Sequence, residues 1–428
     1  MSQTWPPADS FWSDDFPART MNRTTPFLFK GIVPASAANC DAVLDGFAAI
    51  RRGHAAGTEI SAHARVYVGE DRRDDLLEEV LAAPAWPDAA FVPWLQGLAG
   101  AERFSLVINN LETVSPFLAA SLGTFLASLF QGWGVPMGGA ELVAFAGNYS
   151  GTAFGVHEGY EDAFLTHYGP GIKDFYTWSN EEYQKLTGGS DPLHGDYLWL
   201  LEHGEHFILE PGDALFLPQR VFHVGRQDEF SVSVAMPLYT YPDAAILRQA
   251  VLPDLIESLL AGGPDTALGL PSPMAGLDAG SAPVAERLSD LAAQTLTIAS
   301  EQAGNAIERH THQRWHTVLS NGGWEMVEAD LARSEAIDVF VPEHVVPGAE
   351  GSVTAPYRLI VTGRQAFLRG FEIAADPTTL TPDLVAALNT GPITLPADEH
   401  VLTAVRALGA TGGLHITARP NASKEIRT

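Results

Sequence analysis

Gly151-Thr-Ala-Phe-Gly-Val-His157-Glu158-Gly159-Tyr160-Glu161-Asp162-Ala163-Phe164-Leu165 and, further along, Glu210-Pro-Gly212-Asp213-Ala-Leu-Phe-Leu-Pro218-Gln-Arg-Val-Phe-His223-Val-Gly225 are the two stretches that decide the fold. In the second, a Gly-Asp turn opens an apolar strand. A proline follows, and His223 comes five residues after it. Around both windows lie short β-prone segments at Glu141–Tyr149, Thr152–Glu158, Asp162–Tyr168, Lys173–Trp178, His206–Glu210, Asp213–Leu217, Val221–Gly225 and Phe230–Tyr239. Turn residues such as Gly169-Pro170-Gly171 separate them, a punctuation that predicts an antiparallel barrel or sandwich. Adjacent barrel strands reverse direction, so His157 and His223 are expected to point into one interior. A single helix interrupts the series, opened by the capping box Ser179-Asn180-Glu181-Glu182.

Working outward, residues 1–100 read as an N-terminal mixed segment packing on the barrel. Their first 25 residues are polar and Pro-rich and are expected to wrap over the surface. Strands are predicted at Ala64–Val68 and Phe104–Leu111, and a helix at Asp74–Ala82. Ser115–Phe130 is apolar nearly all round, which predicts a buried helix. The barrel spans 101–242. Residues 243–322 form a helical segment, with a Gly- and Pro-rich linker at Gly262–Pro283 and a long amphipathic helix at Val284–Val318. Residues 323–428 read as a small C-terminal module, with strands at Tyr357–Gly363, Ala366–Ile373 and Gly413–Ala418 and helices at Thr381–Asn389 and Asp398–Leu408. The class is α+β and β-rich.

The 428 residues are 46% apolar, enough for a full core, so wholesale disorder is excluded. Forty Gly and 29 Pro fit a turn-rich β architecture. The net charge of −27 argues against nucleic acid and anionic membranes as partners. The single cysteine, Cys40, rules out an internal disulfide and a cysteine zinc cluster. The amino terminus lacks a basic region followed by an apolar run, and no stretch reaches the length of a membrane span. A cytoplasmic location is therefore expected.

The two windows resemble the JmjC-type branch of the cupin superfamily, the iron(II)- and 2-oxoglutarate-dependent oxygenases, and within it the bacterial ribosomal-oxygenase-like members. The resemblance covers residues 100–240 well. It extends more weakly to a helical, dimer-forming segment and a winged-helix-like C-terminal domain. It implies a double-stranded β-helix barrel, Fe(II) held by His157 and His223, and 2-oxoglutarate as cosubstrate. It also implies Lys173 as the cation for the cosubstrate's far carboxylate, with Ser231 in support. A homodimer follows from the helical segment.

The signature departs from that family at one position. The family's metal-binding carboxylate, two residues after the first histidine, is here Gly159. Glu158 points to the opposite strand face from His157, and Glu161 lies about 13 Å further along an extended strand. In iron(II)/2-oxoglutarate halogenases of other branches, a small residue stands in this place and chloride binds the iron. By that analogy the expectation leans to halogenation of an unactivated C–H bond, with Gly159 making room for chloride. The alternatives are hydroxylation of an amino acid, peptide or protein side chain, a non-catalytic cupin scaffold, and a metal-dependent isomerase or lyase. The substrate is a small molecule, a peptide or a carrier-bound intermediate. His312 and His316 share a helix face at zinc-like spacing, but no third ligand accompanies them, and a polar helix surface or dimer contact is the expected reading. The helix at Asp398–Leu408 carries one Arg and no Lys, which speaks against DNA binding.

Overall fold

The computed structural model describes residues 4–57, 62–82, 93, 103–260, 283–326, 340–374, 376 and 378–417. It divides into two compact units: Met1–Thr240 together with His316–Thr428, and Tyr241–Trp315.

In the first unit twelve strands precede the helical segment: β1 (Phe27–Phe29), β2 (His63–Val68), β3 (Asp71–Arg72), β4 (Phe104–Asn109), β5 (Val143–Asn148), β6 (His157–Glu158), β7 (Asp162–Pro170), β8 (Lys173–Trp178), β9 (Glu205–Leu209), β10 (Ala214–Leu217), β11 (Phe222–Arg226) and β12 (Ser231–Leu238). They form an eight-stranded sheet in the order β1-β10-β7-β12-β5-β4-β2-β3 and a four-stranded sheet in the order β6-β11-β8-β9. All pairings are antiparallel. The two sheets face each other across one cavity, the double-stranded β-helix arrangement expected from the sequence. Ser179 caps the helix Asn180–Thr187 with the reciprocal Ser179–Glu182 bonds that the capping box predicts.

Residues 4–25 expose most of their polar residues, but aromatic anchors that the sequence reading did not foresee hold them down. Phe11, Trp12 and Phe16 are buried among Phe29, Phe125, Phe164 and Phe216. Trp12 Nε1 donates to Ser128 Oγ at 2.7 Å, on the helix Pro116–Trp133. That helix is apolar on nearly every side because this amino-terminal segment covers the face turned from the sheet. Each such aromatic contributes on the order of 1.5–3 kcal/mol by leaving water. The intervening Asp and Pro residues hid the pattern. The helix Cys40–Ala56 and strand β1 were likewise unforeseen.

After the helical unit the chain adds β13 (Glu350–Val353), β14 (Ile360–Thr362), β15 (Gln365–Leu368), β16 (Phe371–Ala374), β17 (Ile393–Thr394) and β18 (Leu414–Thr417) in two three-stranded sheets. The helices Pro382–Thr390 and Glu399–Gly409 pack on them through Leu388, Leu402 and Val405. The single strand expected over Ala366–Ile373 is instead a hairpin, β15–β16, turning at Arg369 and Gly370. Its apolar run conceals a two-residue turn in which both residues have positive φ. The second unit is helical, with Val251 and Leu255 packed on Ala299 and Ala306 of the long helix Pro283–Ser320. The expected linker lies, but for Pro283, outside the described residues. Among the described residues, no helix is long and apolar enough to cross a membrane.

Candidate metal and cosubstrate site

His157 lies on β6 and His223 on β11, directly opposite each other in the antiparallel register. Side chains at paired positions share a face, so the two imidazoles meet inside the barrel. Their ring centroids are 4.4 Å apart with planes tilted by 58°. Each ring is oriented in the same way: His157 Nδ1 is 3.1 Å from Gly155 O, and His223 Nδ1 is 3.1 Å from Val221 O. A carbonyl oxygen only accepts, so both Nδ1 atoms carry the proton and both Nε2 atoms keep their lone pairs. Burial pushes the His223 pKa down to about 3, aided by its neighbour His157. Burial also lowers that of His157. Both rings are therefore neutral at physiological pH. That is the protonation state a metal ligand needs.

Gly159 stands beside them. A Cβ built on it would lie 3.2 Å from His223 Cε1, so a side chain there would project at His223. Gly159 contributes no donor. Glu158 is also among the cavity-lining residues, with its carboxylate accepting from Asn180 Nδ2 at 3.2 Å and pairing with Arg220 at 3.3 Å. Glu161 differs from expectation. The strand ends at Glu158 and the chain bends at Glu161, so Glu161 lines the cavity wall instead of lying far along an extended strand. Among the described residues, no group of three or more His, Cys, Asp or Glu side chains is arranged to hold a metal ion.

The cavity is about 350 Å³ and its walls are mostly apolar, including Val143, Phe145, Phe154, Ala163, Leu165 and Phe175. Lys173, at the start of β8, also lines it and is only 2% exposed. Its Nζ donates to Tyr149 Oη and, at 3.2 Å, to Gln227 Oε1. Both partners are neutral, and no carboxylate of the described residues pairs with it. Burial lowers its pKa to about 7. Gly225 is required here: a Cβ would lie 2.9 Å from Lys173 Cε. Gln227 is itself clamped, donating to Gly147 O at 2.6 Å and Ser231 O at 2.8 Å. Ser231 shares its face of β12 with the cavity-lining Ala235 and Pro237. Its Oγ is fully buried and has no hydrogen-bond partner among the described residues.

The fold thus gathers His157, His223, Gly159 and Lys173 in one cavity and sets Ser231 behind it. Sequence reasoning missed Tyr149 and Gln227, which follow strand ends and carry no motif. It also missed His167, buried between Ser233 Oγ at 2.9 Å and Gly171 O at 2.8 Å. His316 sits apart from this cluster, its ring 5.2 Å from that of Phe367.

These features define a double-stranded β-helix barrel with two facing histidines and a buried lysine in its cavity. Among solved structures, the chain is similar to YcfD, a ribosomal oxygenase from Escherichia coli, in complex with cobalt and 2-oxoglutarate. The TM-score is 0.52 and the identity 15%, over 94% of this chain and 98% of that one. The same protein in complex with cobalt and succinic acid gives the same values. A further structure of E. coli YcfD gives a TM-score of 0.53 at 15% identity, over 97% and 99%. At this identity the likeness is one of fold. No protein-family model and no curated protein matches the chain.

Proposed function

We propose that the chain is a non-haem iron(II)- and 2-oxoglutarate-dependent oxygenase acting on an unactivated C–H bond, with His157 and His223 as its histidine ligands. One observation carries this reading: two neutral imidazoles with free Nε2 lone pairs share a mostly apolar cavity with a buried ammonium that has no carboxylate partner among the described residues. An unmatched buried cation is costly, and a carboxylate from outside the chain offsets that cost. The far carboxylate of 2-oxoglutarate supplies that charge. Lys173 receives it, and the buried, unpartnered hydroxyl of Ser231 is a further donor on the cavity-facing side of β12. Iron and 2-oxoglutarate, when bound, would activate dioxygen as the oxidant that breaks a C–H bond, with 2-oxoglutarate oxidised to succinate and carbon dioxide. The chain's own residues orient and exclude: Gly155 and Val221 fix the two rings through their carbonyls, and the apolar walls keep water out. The cobalt and 2-oxoglutarate of YcfD support the same assignment of cofactors.

Hydroxylation is the outcome closest to the ribosomal oxygenases. Gly159 favours a second reading, halogenation, because a position whose side chain would project at His223 provides no carboxylate. Chloride then takes the carboxylate's place. Anaerobic addition of iron(II) and 2-oxoglutarate tests the main reading. A visible charge-transfer band is expected, and a flat spectrum leaves only a scaffold. Chloride separates the two outcomes. If omitting it leaves a hydroxylated product unchanged, halogenation is excluded. If halogenation holds, Gly159→Asp abolishes halide incorporation.

A further inference from the structure

The inward face of the larger sheet does not end at the cavity. Phe145 of β5 walls the cavity; it pairs with Val107 of β4, and Val107 pairs with Arg65 of β2. Paired residues share a face, so one continuous surface runs from the cavity wall to Arg65. The Arg65 guanidinium lies 5.6 Å over the ring of Phe154, which lines the cavity 5.7 Å from the ring of His157. A cleft lined by His63, Arg65 and Asn109 opens beside it.

The described arginines divide into those with a carboxylate partner and those, Arg65 and Arg369 among them, without one. The chain has 52 acidic residues against 25 basic ones. Arg72, Arg73, Arg103, Arg220 and Arg406 each pair with a carboxylate. Half-buried Arg65 has no such pair among the described residues, and its one hydrogen bond goes to the neutral Asn109 Oδ1. That bond holds the planar fork, and Phe154 covers one of its faces. Most of the guanidinium's five donors remain free for an oxyanion.

We propose that Arg65 receives the anionic end, a carboxylate or phosphate, of a substrate whose apolar part enters the cavity. This rests on the cavity being the reactive site. A guanidinium fork takes either oxyanion bidentately, and the walls Val143, Phe145, Phe154, Leu165 and Phe175 suit a hydrocarbon or aromatic body. Arg65 is thus a specificity-determining residue, and the substrate class is an amphiphilic organic acid or phosphate ester.

Calorimetry on the full-length, metal-free protein tests this with three probes: 4-phenylbutyrate, 4-phenylbutyl phosphate and the neutral 4-phenylbutanamide. Wild type is expected to bind at least one anionic probe about tenfold or more tightly than the amide. The tighter of the two anions identifies the headgroup. Arg65→Gln should bring acid and amide to equal affinity, and Arg65→Lys should keep part of the preference as a point charge. Equal binding of all three probes by wild type overturns the proposal, as does a preference that survives in Arg65→Gln. Lys173→Met guards against a probe that occupies the cosubstrate's place: the preference should persist, and its loss there also overturns the proposal. The iron(II)/2-oxoglutarate absorption band is read separately on wild type. A flat spectrum with an intact anion preference sinks the functional reading and leaves an anion-binding pocket.

Discussion

The four-stranded sheet has two faces that treat charge in opposite ways. Toward the cavity, β8 presents Lys173, Phe175 and Thr177, and β11 presents His223. Away from it, β8 presents Asp174 and Tyr176, and β9 presents His206 opposite Tyr176. His206 Nε2 lies 2.7 Å from Asp174 Oδ1, and its ring stacks on Tyr176 at 4.4 Å and 3°. These polar groups are matched within the protein and partly exposed to solvent. On the inner face neither His223 nor Lys173 has a carboxylate partner among the described residues. At the β8–β9 edge the outer face therefore carries polar groups matched within the protein, beside the buried apolar cluster of Trp178, Phe222 and Val224. On the inner side the strands carry groups whose partners must come from outside. Stability alone does not favour the inner arrangement, and perturbed groups of this kind cluster at functional sites.

The largest effect expected is on metal binding. His223→Ala or His157→Ala removes one of two proposed ligands, where even loss of a supporting partner costs about 10–100-fold. Cobalt(II) affinity should fall by more than about a hundredfold in either variant, read from the cobalt absorption bands. Near-wild-type affinity in both would dissolve the distinction between the two faces.

Lys173→Met comes next and has two readouts of opposite sign. Affinity for 2-oxoglutarate should drop by about a hundredfold, because a buried charge pair loses one partner. Without ligand, the variant should melt higher than wild type, gaining on the order of 1–4 kcal/mol, because methionine fills similar volume without an unmatched charge. A lower melting temperature would mean that Tyr149 and Gln227 already satisfy the ammonium.

The pH dependence sharpens the same point with a smaller signal. Burial holds the folded pKa of Lys173 near 7, below its ordinary 10.5. Tyr149, Gln227 and the ring of Phe145 face the ammonium directly, and the charge of Lys173 in turn depresses the pKa of His167. Between pH 7 and 10.5 the unfolded chain keeps a proton that the native state has released. Stability from this residue therefore rises with pH across that window, by about 1.4 kcal/mol per pH unit at most, and is lowest below pH 7. Cosubstrate affinity moves the other way, falling about tenfold per unit above pH 7 as the charged fraction shrinks. Both slopes should vanish in Lys173→Met when denaturation and binding are followed from pH 6.5 to 9.

Much of this was legible in the sequence because the local rules agreed. Lys173–Trp178 has the predicted bounds, and Ser179–Glu182 forms the expected capping box. The period-2 reading also put His157 in the cavity. What escaped is what only tertiary structure creates. Phe11, Trp12 and Phe16 sit among Asp and Pro with no clean period, and their burial follows from the helix Pro116–Trp133 needing a cover. Arg369-Gly370 hides a tight turn inside an apolar run. Tyr149 and Gln227 come from separate chain ends that converge on one ammonium, and Arg65 reaches Phe154 from a neighbouring strand. Glu161 was misjudged because the chain bends where an extended strand was assumed.

The smallest effect tests the comparison from its quiet side. His206→Ala removes a ring, a bond to Asp174 and a stack on Tyr176, all on the exposed face. Exposed ion pairs contribute about 0–1 kcal/mol, and salt screens them. The stack adds a fraction of that at a solvated site. The variant should lose less than about 1 kcal/mol, measured by denaturant titration, and its loss should shrink in high salt. Its cobalt(II) and 2-oxoglutarate affinities should stay within about threefold of wild type, because β8 keeps Lys173 turned inward whichever residue β9 carries at 206. A large fall in either affinity would show that the outer face helps to set the inner one. The pair Asp174–His206 would then belong to the machinery that aims Lys173.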